Sequence, residues 1–269
     1  MTLLPVPGAQ LFYETHGTGR PLLFIPGAAG TGESFGRVTV PLTAHYTVIT
    51  YDRRGFSRSA LHGPQDDVHR LETDADDVWR LLEHLSDQPV IVFGSSSGAI
   101  VALALLTRHP EVVRILAPHE PPAMKLLPDG QQWMDFFLAV YGRYRESGHE
   151  AALQMFRERT FAALDRQAMA HAPQNAQTRS NATYWFEHEL RQYPAVELDL
   201  DALKARAERI VLVAGTESRG HPTYEVTLEL ARRLGRALHE LPGGHVGFLT
   251  HPTEFAQELL QVLSGEQTA

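Results

Sequence analysis

The sequence predicts an α/β fold in which a mainly parallel sheet is flanked by helices on both faces, and three features support this prediction. Strand-like and helix-like segments alternate along the chain, as they do in parallel sheets whose strands are joined by helices. Residues 46–51 and 89–93 are β-branched or apolar on both faces, which is typical of buried parallel strands. Residues 99–106 are apolar all round, which predicts a helix buried against that sheet.

The other elements are predicted from shorter signals. Thr73 and Asp76 resemble a capping box, and apolar residues around them recur at helical spacing, so a helix is expected to begin there. Gly235 is suited to end a helix in the left-handed conformation, and Pro252 is suited to begin the last one. Apolar or β-branched runs predict five more strands, the first of them at the edge of the sheet: residues 10–15, 21–25, 112–117, 209–214 and 236–241.

One long stretch, residues 121–205, has helical spacing, contains no convincing strand and is rich in aromatic side chains. We therefore expect a helical lid inserted between two strands of the sheet, with residues 1–120 and 206–269 forming the α/β core around it. Aromatic residues in such a lid either pack its own interior or bind an apolar substrate. Four of them are candidate substrate-binding residues: Trp133, Phe137, Tyr184 and Trp185.

The composition excludes several kinds of site and partner. The sequence has no cysteine, which rules out disulfides, thiol nucleophiles and cysteine-ligated zinc. The formal net charge of −8 argues against a nucleic-acid or anionic-membrane partner. We find no apolar run long enough to span a membrane and no signal-peptide pattern at the N-terminus, so we expect a cytoplasmic protein.

Residues 94–98, Gly-Ser-Ser-Ser-Gly, fit the pattern G-x-S-x-G between a predicted strand and a predicted helix. In a nucleophile elbow the central serine lies on a sharp turn, and glycines flank it because side chains would crowd that turn. Only Ser96 has both glycines in register, which makes it the candidate nucleophile in preference to Ser95 and Ser97. The N-terminus of the following helix would favour a nearby oxyanion. The alternative is a serine-rich turn that only caps the helix.

Acyl transfer also needs N–H donors for the oxyanion. The residue after the nucleophile, Ser97, supplies one of them in such an elbow. We expect the second in the loop at residues 26–30, where small residues let the backbone approach a substrate, and the candidate donor is the N–H of Ala28. The alternative for this loop is a plain glycine turn.

The candidate general base is His245, in a Pro-Gly-Gly-His segment that directly follows the predicted strand at residues 236–241. Such a loop would hold the histidine at the C-terminal edge of the sheet, beside the elbow. The chain has 14 histidines, and the nearest rival is His251. That residue directly precedes Pro252 and fits the start of a helix.

Together with Asp-Arg-Arg-Gly-Phe-Ser-Arg-Ser at residues 52–59, these motifs resemble the α/β-hydrolase superfamily over nearly the whole chain outside the lid. The resemblance implies an α/β-hydrolase fold and a triad of serine, histidine and an acid. Two positions depart from the family pattern. Pro26-Gly27 stands where the family usually has His-Gly, and Ser218 stands where an aspartate usually follows the penultimate strand.

Two glutamates compete for the place of the missing acid. Glu217 lies one position before the expected site, whereas Glu120 follows the predicted strand at residues 112–117, where haloalkane dehalogenases of the same superfamily carry their acid. The His-Glu-Pro-Pro segment at residues 119–122, the elbow and the Pro-Gly-Gly-His segment are similar to those of fungal zearalenone lactone hydrolases. Those enzymes open a macrocyclic lactone with a Ser-His-Glu triad, so the resemblance implies Glu120 as the acid.

The expected activity is hydrolysis of a small apolar ester or lactone through an acyl-enzyme. No cofactor and no metal are expected, because neither an H-E-x-x-H pattern nor a phosphate-binding loop occurs. The alternatives are a cofactor-free perhydrolase or haloperoxidase, a C–C bond hydrolase, and a small-ligand receptor on the same scaffold. A dehalogenase or epoxide hydrolase is disfavoured because each needs an aspartate at position 96. Neither the physiological substrate nor the oligomeric state follows from the sequence.

Overall fold

The computed structural model describes residues 2–265, which form one eight-stranded sheet with helices on both faces. The sheet order is β1-β2-β4-β3-β5-β6-β7-β8. β1 pairs antiparallel with β2 and β2 with β4, and all neighbours from β4 to β8 are parallel. The strands are β1 (Thr2–Val6), β2 (Ala9–His16), β3 (Arg20–Ile25), β4 (Tyr46–Tyr51), β5 (Val90–Ser95), β6 (Val113–His119), β7 (Leu212–Gly215) and β8 (Leu238–Leu241). The predicted α/β class is confirmed.

The helices cover the sheet in two layers. Apolar residues of α2, α3 and α8 pack on one face, and those of α1 and α10 pack on the other. α3 is buried along most of its length, as its apolar sequence predicts. The helices are α1 (Gly36–Leu42), α2 (Arg70–Leu85), α3 (Ser97–Arg108), α4 (Gly130–Thr160), α5 (Ala163–Ala170), α6 (Ala176–His188), α7 (Leu200–Lys204), α8 (Pro222–Leu234), α9 (Gly247–Thr250) and α10 (Pro252–Gly265).

The chain between β6 and β7 is helical. It contains α4, α5, α6 and α7, and residues 121–205, all of which are described, form no strand. α4 is kinked at Gly148, whose φ of 79° and ψ of −175° lie outside the helical region. Among residues 2–265, no helix combines the length and the apolar character that crossing a membrane requires.

Of four local predictions, the structure contradicts two and confirms two. The first predicted strand is not at the edge, because β1, which the sequence analysis does not predict, pairs outside β2. β1 contains Pro5, which an edge strand tolerates. The capping box at Thr73 is wrong: α2 begins one turn earlier, and the Thr73 hydroxyl donates to the carbonyl of His69 at 2.9 Å. Gly235 does end α8 with a φ of 64°, and Pro252 does begin α10.

Candidate active site

Ser96 lies on a sharp turn between β5 and α3, at the C-terminal edge of the sheet. Its φ of 56° and ψ of −122° are unusual for a residue with a side chain, which indicates a strained turn. The two flanking glycines are required by close packing. A Cβ atom on Gly94 would lie 2.4 Å from the carbonyl oxygen of Gly98, and one on Gly98 would lie 2.2 Å from that of Ile25. Ser96 is partly exposed, whereas its serine neighbours on both sides are buried.

A cavity of about 660 Å³ opens above this turn. Ser96, His245, Ala28 and Ser97 all line it. Most of its remaining wall is apolar and comes both from the segment at residues 121–205 and from the rest of the chain, including Met124, Leu153, Phe156, Phe161, Leu190 and Phe248. A cavity of this size holds a ligand of drug-like dimensions.

The two candidate oxyanion donors, the backbone N–H groups of Ser97 and Ala28, belong to residues that line the cavity beside Ser96. Ser97 is the first residue of α3, where helix geometry provides no intrahelical acceptor for the N–H. Ala28 follows Gly27 in a tight turn closed by a 2.9 Å hydrogen bond from the N–H of Gly30 to the carbonyl of Gly27. That turn packs directly on the elbow, because a Cβ atom on Gly27 would lie 3.0 Å from the Cβ atom of Ser96.

The side chains of Glu120 and His245 are in contact. Glu120 follows β6, and its Oε2 lies 2.6 Å from Nδ1 of His245. The carboxylate also accepts from the N–H of Gly215 and from the hydroxyl of Thr223, each at 2.8 Å. A carboxylate only accepts hydrogen bonds, so Nδ1 carries the proton and the Nε2 lone pair is left free to act as a base. Glu120 itself has a φ of 49°, a second strained residue at this edge of the sheet.

The environment keeps Glu120 ionised. Burial alone would raise the pKa of its carboxyl group, but the hydrogen bond and charge of His245 outweigh that effect and lower the pKa to about 2. The preceding residue, His119, is completely buried beside Phe93 and Phe255, and burial lowers its pKa to about 4. His119 is therefore neutral near pH 7 and packs as part of the core.

The rival residues lie elsewhere. The side chain of Glu217 is exposed, and its backbone N–H donates to the carbonyl of Gly243 at 2.9 Å. Ser218 is buried in the same short turn after β7. His251 ends α9, with its Nδ1 2.9 Å from the hydroxyl of Thr250. It is Glu120 that the structure brings together with His245.

The four candidate aromatic residues divide into two pairs. Phe137 and Trp185 line the cavity. Trp133 and Tyr184 do not: Trp133 packs edge-on against Phe136, and the hydroxyl of Tyr184 accepts a 2.6 Å hydrogen bond from Arg70. Helical spacing alone does not indicate which face of α4 or α6 meets the cavity.

Sequence reasoning missed three residues that contact the histidine or its partner. Thr223, at the start of α8, donates to Glu120. Phe161 stacks on the His245 ring with centroids 4.6 Å apart. Asp165, in α5, is buried and accepts from the backbone N–H of His245. Each contact joins residues that are 80 or more positions apart along the chain. No local sequence motif therefore indicates them.

Metal-binding clusters are a separate question. Within residues 2–265, no group of three or more histidine, aspartate or glutamate side chains is placed to hold a metal ion.

Comparison with known proteins assigns the family. Residues 20–252 match the family described as alpha/beta hydrolase fold. The chain is 34% identical to an uncharacterized hydrolase, YraK, of Bacillus subtilis over 98% of its own length and 96% of that protein. It is 27% identical to a zearalenone hydrolase of Cladophialophora bantiana, covering 97% of this chain and 95% of that one.

Solved structures share the fold at lower identity. An esterase from Thermogutta terrifontis superposes with a TM-score of 0.76 at 18% identity, covering 99% of both chains. An enol-lactonase from Burkholderia xenovorans gives a TM-score of 0.74 at 18% identity, covering 98% of this chain and all 100% of that one. With the family match spanning most of the sequence, the chain belongs to the alpha/beta hydrolase fold family and is a hydrolase.

Proposed function

We propose that this hydrolase cleaves a carboxylic ester or lactone, with Ser96 as nucleophile, His245 as general base and Glu120 as the acid that orients it. The observation that carries the proposal is the 2.6 Å contact between Glu120 and His245, whose ring lines the same cavity as the strained Ser96 turn. The contact orients the imidazole and leaves its Nε2 as the free nitrogen. The names of two relatives, a zearalenone hydrolase and an enol-lactonase, support an ester or lactone bond as the target.

The reaction then proceeds in two acyl-transfer steps. The Nε2 atom of His245 takes the hydroxyl proton of Ser96 as its Oγ attacks the substrate carbonyl carbon, and Glu120 stabilises the imidazolium that forms. The N–H groups of Ala28 and Ser97 hold the oxyanion. The tetrahedral intermediate collapses, His245 gives its proton to the leaving alkoxide, and the acyl group remains on Ser96. His245 next removes a proton from water as the water oxygen attacks the acyl-enzyme, and it returns that proton to Oγ of Ser96 when the carboxylic acid leaves.

Residues 121–205 act as the lid of this site, and they favour an apolar substrate. Side chains from the lid, including Phe137, Phe156 and Trp185, form a large part of the cavity wall. The apolar part of an acyl or alcohol group gains free energy by leaving water for such a wall, about 0.8 kcal/mol for each buried methylene.

A panel of substrates tests the proposal. We expect turnover of aryl esters and of small and macrocyclic lactones, with kcat/KM rising from acetate to medium-length or bulky apolar acyl groups. A vinylogous diketone and a peroxide with acetate are included as substrates for C–C bond hydrolysis and perhydrolysis. Turnover confined to either of those two, or no turnover of any ester or lactone, would reject the proposed function.

A further inference from the structure

Arg53 connects the lid to the loop that carries Ala28. Its guanidinium is buried, with 1% of the residue exposed. Nη2 donates to the carbonyl oxygen of Gly27 at 2.9 Å, and the two terminal nitrogens bind both carboxylate oxygens of Glu189 at 2.8 and 2.7 Å. Glu189 follows α6 in the lid. One guanidinium therefore bridges a lid carboxylate and the loop beside the elbow.

The carbonyl that Arg53 binds belongs to the same peptide unit as the N–H of Ala28. A trans peptide is planar, and its C=O and N–H point in opposite directions, so a bond that fixes the Gly27 carbonyl also fixes the direction of the Ala28 N–H. The carbonyl accepts from the N–H of Gly30 as well, so both of its lone pairs are engaged. A charged donor on the carbonyl polarises the amide and makes its N–H a stronger donor.

We propose that Arg53, held by Glu189 of the lid, is a positioning residue that aims and strengthens the Ala28 N–H as an oxyanion donor. The role extends the acyl-transfer function proposed above and depends on it. It makes the lid part of the catalytic machinery as well as a wall of the cavity, because without Glu189 the guanidinium would lose its bidentate partner.

The surrounding charges keep Arg53 in place. Burial lowers the pKa of the guanidinium, but the carboxylates of Glu189 and Asp74 outweigh that effect and raise the pKa above its ordinary value. Glu189 also accepts from Arg70 at 3.0 Å, and Asp74 lies 3.2 Å from Arg53 and accepts from the hydroxyl of Tyr193. This cluster balances two arginines against two carboxylates, and a buried charge in it costs much less when paired than when single.

A second contact from the lid holds the other side of the same loop. Asn181, in α6, donates from Nδ2 to the carbonyl of Ala29 at 3.0 Å and to the hydroxyl of Ser57 at 2.8 Å. Its Oδ1 accepts from the N–H of Ser57 at 2.9 Å. The carbonyls of Gly27 and Ala29 are thus both bound by groups that belong to the lid or are held by it.

The test is the charge-balanced double variant Arg53→Met with Glu189→Gln, which removes one charge of each sign and keeps an acceptor for Arg70. We expect kcat for an aryl ester to fall about 10- to 100-fold, because the oxyanion donor is present but no longer aimed. KM is expected to stay within about threefold, since the donor acts mainly on the transition state. A trifluoromethyl ketone, whose serine adduct carries an oxyanion, should bind weaker by the factor lost from kcat/KM.

The neighbouring pair Arg54 and Asp77 provides a matched control. It is also a buried ion pair, with bonds of 2.7 and 2.8 Å, and the remaining hydrogen bonds of the Arg54 side chain run to Gln65 and the carbonyl of Pro7. Arg54→Met with Asp77→Asn should lower the free energy of unfolding comparably and leave kcat within about threefold, because neither residue of the pair lines the cavity. If the Arg53 double variant does not fold, Arg53→Lys provides a second test. It keeps the charge but loses the paired N–H donors of the guanidinium, so it should still lower kcat measurably.

Two results would overturn the inference. One is a folded Arg53 variant whose kcat and ketone inhibition constant match those of the wild type. The other is a rise in KM and inhibition constant together with unchanged kcat, which would mean that Arg53 shapes the cavity only. Either result, obtained while Ser96→Ala is inactive, rejects the positioning role and keeps the proposed function; an active Ser96→Ala rejects the proposed function itself.

Discussion

Asp165, in α5, accepts a 2.9 Å hydrogen bond from the backbone N–H of His245, 80 residues further along the chain. Its other carboxylate oxygen accepts from the N–H of Val246 at 3.0 Å. Both N–H groups belong to the loop that carries the proposed general base. Burial raises the pKa of Asp165, and these two hydrogen bonds partly offset the rise. A buried carboxylate of α5 thus holds the loop that contains His245.

Asp165→Asn should therefore lower activity. An amide has one oxygen, so its NH₂ group would face one of the two N–H donors and the loop would shift. We expect kcat to fall about tenfold, and the free energy of unfolding to fall by about 1–3 kcal/mol for a buried donor left unpaired. Steady-state kinetics and urea unfolding measure the two effects. Asp135→Asn, at an exposed position on α4, serves as the control, and equal kinetics in both variants would contradict the role of Asp165.

The two candidate acids are separated by paired amide variants. Glu120→Gln presents an NH₂ group or a neutral oxygen to Nδ1, which removes the charge that stabilises the imidazolium, so kcat should fall about 10³- to 10⁴-fold. Glu217→Gln changes an exposed side chain and should stay within about tenfold of the wild type. The measurement is kcat on folded proteins of matched thermal stability. The reverse ranking would transfer the role of the acid to Glu217.

Local signals made most of the fold predictable. The buried strands around the elbow have apolar or β-branched sequences on both faces, and α3 is apolar throughout, so the elements that place Ser96 follow from residue pattern. The start of α2 does not follow from residue pattern, because Thr73 is a residue type that commonly begins a helix. Only its hydrogen bond to the carbonyl of His69 shows that the helix has already begun before it.

The surroundings of the candidate site were harder to predict. The position of Glu120 after a strand and a family resemblance predict it as the acid, but no pattern predicts the residues that hold the loops around Ser96 and His245. Asp165 and Glu189 lie in helical sequence without a motif, and their partners are 80 and 136 residues away. Charged residues in amphipathic helices are usually solvated, so nothing in the sequence distinguishes these two from the exposed carboxylates beside them.

The lowered pKa of Glu120 predicts a specific dependence of stability on pH. The pKa is about 2 in the folded protein and about 4.3 for an ordinary glutamate, so the ionised group contributes about 3 kcal/mol of stability. That contribution is complete when the pH is above the pKa of Glu120 in the unfolded state. It is lost as the pH falls through the pKa of Glu120 in the folded state. We compare wild type and Glu120→Gln by urea unfolding at pH 5 and pH 3, both below the ordinary pKa of histidine. The difference in the free energy of unfolding between wild type and Glu120→Gln should be smaller by about 1–2 kcal/mol at pH 3 than at pH 5. A difference that is the same at both pH values would contradict the account.

Substrate size should depend on Trp185 and not on Trp133. Both side chains are buried, so replacing either with alanine should cost about 3–5 kcal/mol of stability. Only Trp185 lines the cavity. Trp185→Ala should lower kcat/KM for a bulky apolar ester about tenfold or more while leaving the acetate ester little changed, because about 1–3 kcal/mol of apolar contact is lost. Trp133→Ala should keep the wild-type ratio of the two substrates. The same change in the kcat/KM ratio of the two substrates in both variants would mean that Trp185 acts through stability only.

The central claim, that Ser96 is the nucleophile of this hydrolase, is tested most directly by labelling with a fluorophosphonate probe followed by peptide mass spectrometry. The account predicts one label per chain, on the peptide that contains Ser96. It also predicts that Ser96→Ala abolishes labelling and lowers kcat by several orders of magnitude. Labelling that persists in Ser96→Ala and maps to Ser95 or Ser97 would contradict it.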